Sequence, residues 1–128
     1  MVIDTSALLA VLFDEPERAQ FVRAIGEANH RYVSAGTVVE ATIVAESRRG
    51  EAAGRELDLL LYRAGVEVVA VDEEQALLAR DAWRRYGKGR HPAGLNVGDV
   101  FSYALSRAKG DVLLFKGADF SKTDVTPA

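Results

Sequence analysis

The stretch MVIDTSALLA, residues 1–10, decides how the rest of the chain is read. Three residues of apolar strand material run into Asp4, two hydroxyls follow at Thr5 and Ser6, and an unbroken apolar stretch begins. In open parallel α/β sheets, ligands bind outside the carboxyl ends of the strands, where loops and helix N-termini converge. Asp4 stands at such an end. Alone it has two readings: it caps the following helix by accepting free N–H groups, or it is presented for chemistry.

Outward from this stretch, short apolar runs alternate with longer segments of helical period, the pattern of an α/β domain with a mainly parallel sheet. Strands are predicted at Val2 to Asp4, Arg31 to Ser34, Val66 to Val71 and Val112 to Phe115. Helical spacing predicts helices over Glu17 to Ala28, over Val38 to Arg49, around Leu57 to Ala64 and around Ala79 to Tyr86. The clearest follows Asn96, where Val97, Val100, Phe101, Ala104, Leu105 and Ala108 share one face. The segment 38–45 is apolar nearly all round and is expected to lie deep. The one long irregular stretch is GKGRHPAGLN, residues 87–96, a loop long enough to be functional or mobile.

The 128 residues suit a single domain, 1–128, with one contiguous core. Without cysteine there are no disulfides or thiolate sites, and His, Asp and Glu are the remaining strong metal ligands. No apolar run is long enough to cross a bilayer and no leader is visible, so a cytoplasmic location without membrane contact is expected. The net charge of −3 argues against a nucleic-acid partner only if the acids are evenly spread. They are not: residues 80–91, RDAWRRYGKGRH, hold five Arg or Lys against one Asp.

Four acids recur beside strand ends and helix starts. Glu40 lies in Thr37-Val38-Val39-Glu40, a capping box in which Thr37 caps and Glu40 reaches back. Asp99 lies in Asn96-Val97-Gly98-Asp99, with Asn96 as the cap and the acid in the first turn. Asp119 lies past the last strand, in a turn. Asp72 repeats the capping pattern. Capping explains Asp4, Glu40, Asp99 and Asp72 singly, and a solvated turn explains Asp119. Together, Asp4, Glu40, Asp99 and Asp119 would converge on one sheet edge, the oxygen donor set of a hard divalent cation such as Mg²⁺. Such a cation activates water and stabilises charge on a phosphoryl oxygen, which is the chemistry of phosphodiester hydrolysis. Setting those four aside leaves 15 acidic against 16 basic residues.

Taken in order, MVIDTSALLA, TVVEA, GLNVGDVFSYALS and LLFKGADF resemble the PIN-domain family, and within it the VapC-type toxin ribonucleases. The resemblance spans essentially the whole chain. It implies a three-layer α/β/α domain, a Mg²⁺- or Mn²⁺-dependent endoribonuclease, and a small antitoxin partner. Carried over by position, Asp4 and Asp99 would be the principal metal ligands. Glu40 would complete the pocket through water, and Asp119 would be a peripheral acid. Gly117 stands where the family more often has a further Asp, which leaves the second metal position open. Asn96 would be a polar neighbour of the pocket. Thr5 and Ser6 would face the metal-bound water or a phosphate, or cap the helix and so free Asp4 for metal. Lys88, Arg90 and His91 suit contacts to RNA phosphates, and the resemblance points to tRNA or rRNA as substrate.

Two other readings use the same residues. In one the acids are all caps, and the chain is a non-catalytic module that binds RNA or protein. In the other Asp4 is a phosphotransfer nucleophile, but the second acid that such enzymes carry two residues on is replaced by Ser6. The apolar residues Leu57, Leu59, Leu60, Leu61 and Tyr62 exceed what one core face needs, so an antitoxin groove or a homodimer contact is expected as well.

Overall fold

The computed structural model describes all residues, Met1–Ala128. In chain order the elements are β1 (Val2–Ile3), α1 (Thr5–Leu12), α2 (Arg18–Glu27), β2 (Tyr32–Ser34), α3 (Ala35–Arg49), α4 (Glu51–Arg63), β3 (Glu67–Val69), α5 (Glu73–Tyr86), α6 (Val97–Lys109) and β4 (Leu113–Leu114), followed by a 3₁₀ turn at Phe120–Lys122. The four strands are all parallel, in the order β3-β2-β1-β4.

Neighbouring residues of a strand face opposite sides of the sheet, and that alternation builds three layers. Ile3, Val33 and Leu114 enter one core with Leu8, Phe21, Ala41 and Leu57, so α1 to α4 cover that face. Val2 and Leu113 enter a second core with Ala82, Leu95, Tyr103 and Leu105, so α5 and α6 cover the other. This is the predicted α/β/α fold. The chain leaves β1 toward β2 on one side and returns to β4 on the other, so the strand order reverses at β1. A ligand crevice forms at such a point, and Asp4 lies there.

Two local expectations are overturned. Helix α3 starts at Ala35, before the predicted boundary, because Ser34 takes the cap by accepting the Gly36 N–H at 3.2 Å. Thr37 is therefore inside the first turn and buried, and the Thr37–Glu40 capping box does not form. Nor is α3 buried all round: Ala41 and Ala45 face the core, while Val39 and Ile43 are 60% and 61% exposed. Gly50, at φ 76° in the region that favours glycine, closes α3 and opens α4, which begins well before Leu57.

The 87–96 loop closes on itself. Lys88 N–H donates to the Leu95 carbonyl and Leu95 N–H to the Tyr86 carbonyl, both at 2.9 Å, while Ala93 and Leu95 are buried. The loop thus delivers Asn96 to the start of α6. The edge of β4 is covered by the C-terminal segment, with Leu113 N–H donating to the Thr126 carbonyl at 2.9 Å. No helix is long and apolar enough to cross a membrane.

Candidate active site

Asp4 is tied into the sheet by its backbone, whose N–H donates to the Leu114 carbonyl at 2.9 Å. Its side chain caps α1: Oδ2 accepts the Ser6 N–H at 3.0 Å and the Ser6 hydroxyl at 2.6 Å. The expectation that Thr5 and Ser6 would cap the helix and leave Asp4 free is therefore corrected, because the carboxylate is itself the cap. It is not consumed by that role, since its other oxygen points elsewhere and accepts the Ser102 hydroxyl at 2.6 Å. The Ser6 hydroxyl also accepts the Lys116 backbone N–H at 2.9 Å, which links the ends of β1 and β4.

Asn96 and Asp99 form the predicted capping box at the start of α6. The Asn96 side chain accepts the Asp99 N–H at 3.0 Å, and the Asp99 carboxylate accepts the Asn96 N–H at 2.9 Å. Glu40, one turn into α3, lies against the backbone of Gly98, where a Cβ would collide with its carboxylate.

These groups line one open cavity of about 370 Å³, shared by Asp4, Thr5, Ser6, Glu40, Asn96 and Asp99. Burial, and then the charges of Asp4, Glu40 and Asp119, push the Asp99 carboxyl up to about 6 against the opposing pull of the Asn96 N–H. Burial also raises Glu40; the nearby Thr5 hydroxyl opposes the shift and the charge of Asp4 adds to it. The Thr5 hydroxyl is buried and has no hydrogen-bond partner. The cavity is thus a crowded acidic site with the Thr5 hydroxyl at its wall, turned toward Glu40 without a hydrogen bond of standard geometry.

The remaining predicted residues fall outside it. Asp119 is exposed at the head of the 3₁₀ turn, near enough for its charge to act on Asp99 but not on the cavity wall. Lys88, Arg90 and His91 are absent from the lining. The Arg90 guanidinium lies 4.0 Å over the Trp83 ring. His91 Nδ1 accepts the Ala93 N–H at 3.0 Å, and its ring meets Tyr86 edge-on.

The cations on the wall are Arg48 and Lys116, neither of which was picked out in the sequence. Lys116 is paired with Glu15 and with Glu17. Ser102 was also missed, although Asp99, Ser102 and Ser106, spaced i, i+3 and i+7, share one face of α6, which is a readable signal.

The fold and this acidic cleft define the class. The PIN-domain profile matches residues 1–125, and the chain belongs to the PIN-domain family, among its VapC ribonucleases. It is 58% identical over 125 residues to a ribonuclease VapC of Mycolicibacterium smegmatis, covering 98% of this chain and 97% of that protein. It is 56% identical over 126 residues to ribonuclease VapC30 of Mycobacterium tuberculosis, covering 98% and 95%. Among solved structures, the fold resembles that of VapC20 of Mycobacterium tuberculosis, described as a sarcin–ricin loop cleaving toxin, with a TM-score of 0.79 at 19% identity over 99% of this chain and 97% of that one. It also resembles VapBC2 of Rickettsia felis, solved bound to a DNA fragment of its promoter, with a TM-score of 0.75 at 14% identity over 99% and 96%.

Proposed function

We propose that this VapC-type ribonuclease cuts RNA with water, using Asp4 and Asp99 to hold a divalent cation, Mg²⁺ or Mn²⁺, with Glu40 and Asp119 acting through water. The observation that carries this reading is the convergence of Asp4, Glu40 and Asp99 on one cavity beside the unpartnered Thr5 hydroxyl. No three acids stand close enough to form a ready-made cluster. The donor set nevertheless fits a small hard cation, which is commonly bound by one or two carboxylates and keeps several waters. When bound, such a cation supplies an activated water and neutralises charge at the phosphoryl group.

The chain's own residues do the positioning. Asp4 and Asp99 bring two carboxylates from different elements to one point, and Glu40 holds a proton-accepting oxygen beside them. Thr5 offers its hydroxyl, beside Glu40, to a water or a phosphate oxygen, and Asn96 sets Asp99. Arg48 suits the phosphate backbone at the cavity wall, and Lys88, Arg90 and His91 suit more distant phosphates of a structured RNA such as tRNA or rRNA. The products would carry a 5′-phosphate and a 3′-hydroxyl.

A small cognate antitoxin would neutralise the enzyme in the cytoplasm. A homodimer is supported by the exposed Val39 and Ile43, one turn apart on α3, and by Trp83 and Val97, which line one mostly apolar cavity. The functional test is cleavage of RNA by the purified protein with Mg²⁺ or Mn²⁺. Activity is expected to vanish with EDTA and with Asp4→Asn. Activity surviving both overturns the mechanism, and RNA binding without cleavage supports the non-catalytic module instead.

A further inference from the structure

The side chain of Asp4 is almost fully used. A carboxylate offers about four acceptor positions, two on each oxygen. On Asp4 Oδ2 both are filled, by the Ser6 N–H at 3.0 Å and the Ser6 hydroxyl at 2.6 Å. On Oδ1 one is filled, by the Ser102 hydroxyl at 2.6 Å. A single acceptor position remains.

The direction of the network follows from counting hydrogens. Ser6 gives its one hydroxyl hydrogen to Asp4 and accepts the Lys116 N–H at 2.9 Å. Ser102 gives its one hydrogen to Asp4, so the Thr37 hydroxyl, 3.0 Å away, must be the donor to Ser102. Thr37, Ser102 and Asp4 are all buried, so water does not compete for these bonds. The relay joins three parts of the fold that are distant in sequence, the β1–α1 junction, α3 and α6. It does so one helical turn from Asp99, and it therefore sets the two carboxylates relative to each other.

We infer that Ser102, oriented by Thr37, is a positioning residue that holds Asp4 with one Oδ1 acceptor free, so that Asp4 serves a single cation and does not bridge two. This rests on the reading of Asp4 as a metal ligand and adds to it a residue and a count. Partners of this kind, which hold a ligand in place, typically govern metal affinity by about 10–100-fold.

The test is titration of the metal-free protein with Mn²⁺, read by electron paramagnetic resonance. Asp4→Asn is expected to remove one tight site per chain, and Ser102→Ala to weaken that site about tenfold or more. Thr37→Val, which removes the donor to Ser102, should weaken it in the same direction, and Thr37→Ser should recover the affinity. Ala104→Gly, on the apolar side of the same helix, controls for loss of stability and should leave Mn²⁺ binding unchanged.

Ser102→Ala binding Mn²⁺ within about twofold of the wild type overturns the positioning role, as does loss of two sites in Asp4→Asn. If Ser102→Ala does not fold, the contrast between Thr37→Val and Thr37→Ser decides. Wild-type binding by Asp4→Asn would bring down the underlying metal reading instead, a result distinct from either.

Discussion

Gly98 has no side chain where the carboxylate of Glu40 sits: a Cβ built on Gly98 falls on the Glu40 carboxylate. The glycine at the start of α6 is therefore a space reserved for an acid delivered by α3. It brings Glu40 beside Asp99 without a direct bond between them.

Gly98→Ala should then act on activity rather than on folding. Alanine favours a helix over glycine by about 1 kcal/mol, which offsets part of the clash, and Glu40 has open cavity to move into. We expect RNA cleavage to fall about tenfold or more with little change in Tm, measured by cleavage rates and circular dichroism melts. Cleavage at the wild-type rate would show that the placement of Glu40 is unimportant.

Asp99 gives a pH-dependent stability of definite sign. Its folded-state pKa is raised to about 6, so between the ordinary carboxylate range and about 6 the folded protein holds a proton that the unfolded chain has lost. Stability therefore falls as pH rises through that window, and the full penalty is present above it. Because the group is partly open to solvent, the penalty is discounted to about 1–2 kcal/mol. In EDTA, Asp99→Asn should raise Tm by roughly 3–8 °C at pH 7 and by almost nothing near pH 4. A higher wild-type Tm at pH 7 would contradict the electrostatic account.

The same crowding predicts a response to metal. A ligand bound only by the folded state stabilises it by about 2.7 kcal/mol at a hundredfold excess over Kd. Millimolar Mg²⁺ or Mn²⁺ should raise the wild-type Tm and leave that of Asp4→Asn unmoved. Equal shifts in both proteins would place the cation elsewhere.

Val39 and Ile43 project from α3 into solvent. Replacing either by Asp or Glu should cost a lone chain no more than about 0.5 kcal/mol. If α3 forms part of a dimer contact, sedimentation should show a dimer for the wild type and a monomer for the variant. Two identical sedimentation profiles would remove α3 from the interface.

Lys88 and Arg90 lie away from the acidic cavity, so their loss should weaken RNA affinity without changing the chemical step. Each phosphate contact removed should reduce the salt dependence of binding by a slope of about 0.7 for single-stranded RNA. An unchanged slope in the doubly substituted protein would assign them no phosphate.

The layers of the fold were legible because they rest on local periodicity. The helix read after Asn96 corresponds to Val97–Lys109, and all four strands fall within their expected segments. Boundaries failed where two caps competed. Ser34 and Thr37 are both good capping residues three positions apart, and only tertiary burial of Thr37 settles the choice in favour of Ser34.

At the site, opposing cap to ligand misjudged Asp4, since a carboxylate has two oxygens and can do both. Arg48 and Lys116 reach the cavity wall by folding and leave little local signal, whereas Ser102, 98 residues from Asp4, is marked in the sequence only by its place one turn after Asp99, on the face it shares with Ser106. The loop 87–96 is closed by its own backbone pairing, which a count of glycines does not reveal.

The most direct measurement is the anomalous scattering of a crystal soaked in Mn²⁺. The account predicts one strong peak within coordination distance of Asp4 Oδ1 and the Asp99 carboxylate, with the Ser6 and Ser102 hydrogen bonds to Asp4 intact. A peak that touches neither acid, or no peak in crystals of protein that cleaves RNA under the same conditions, would contradict it.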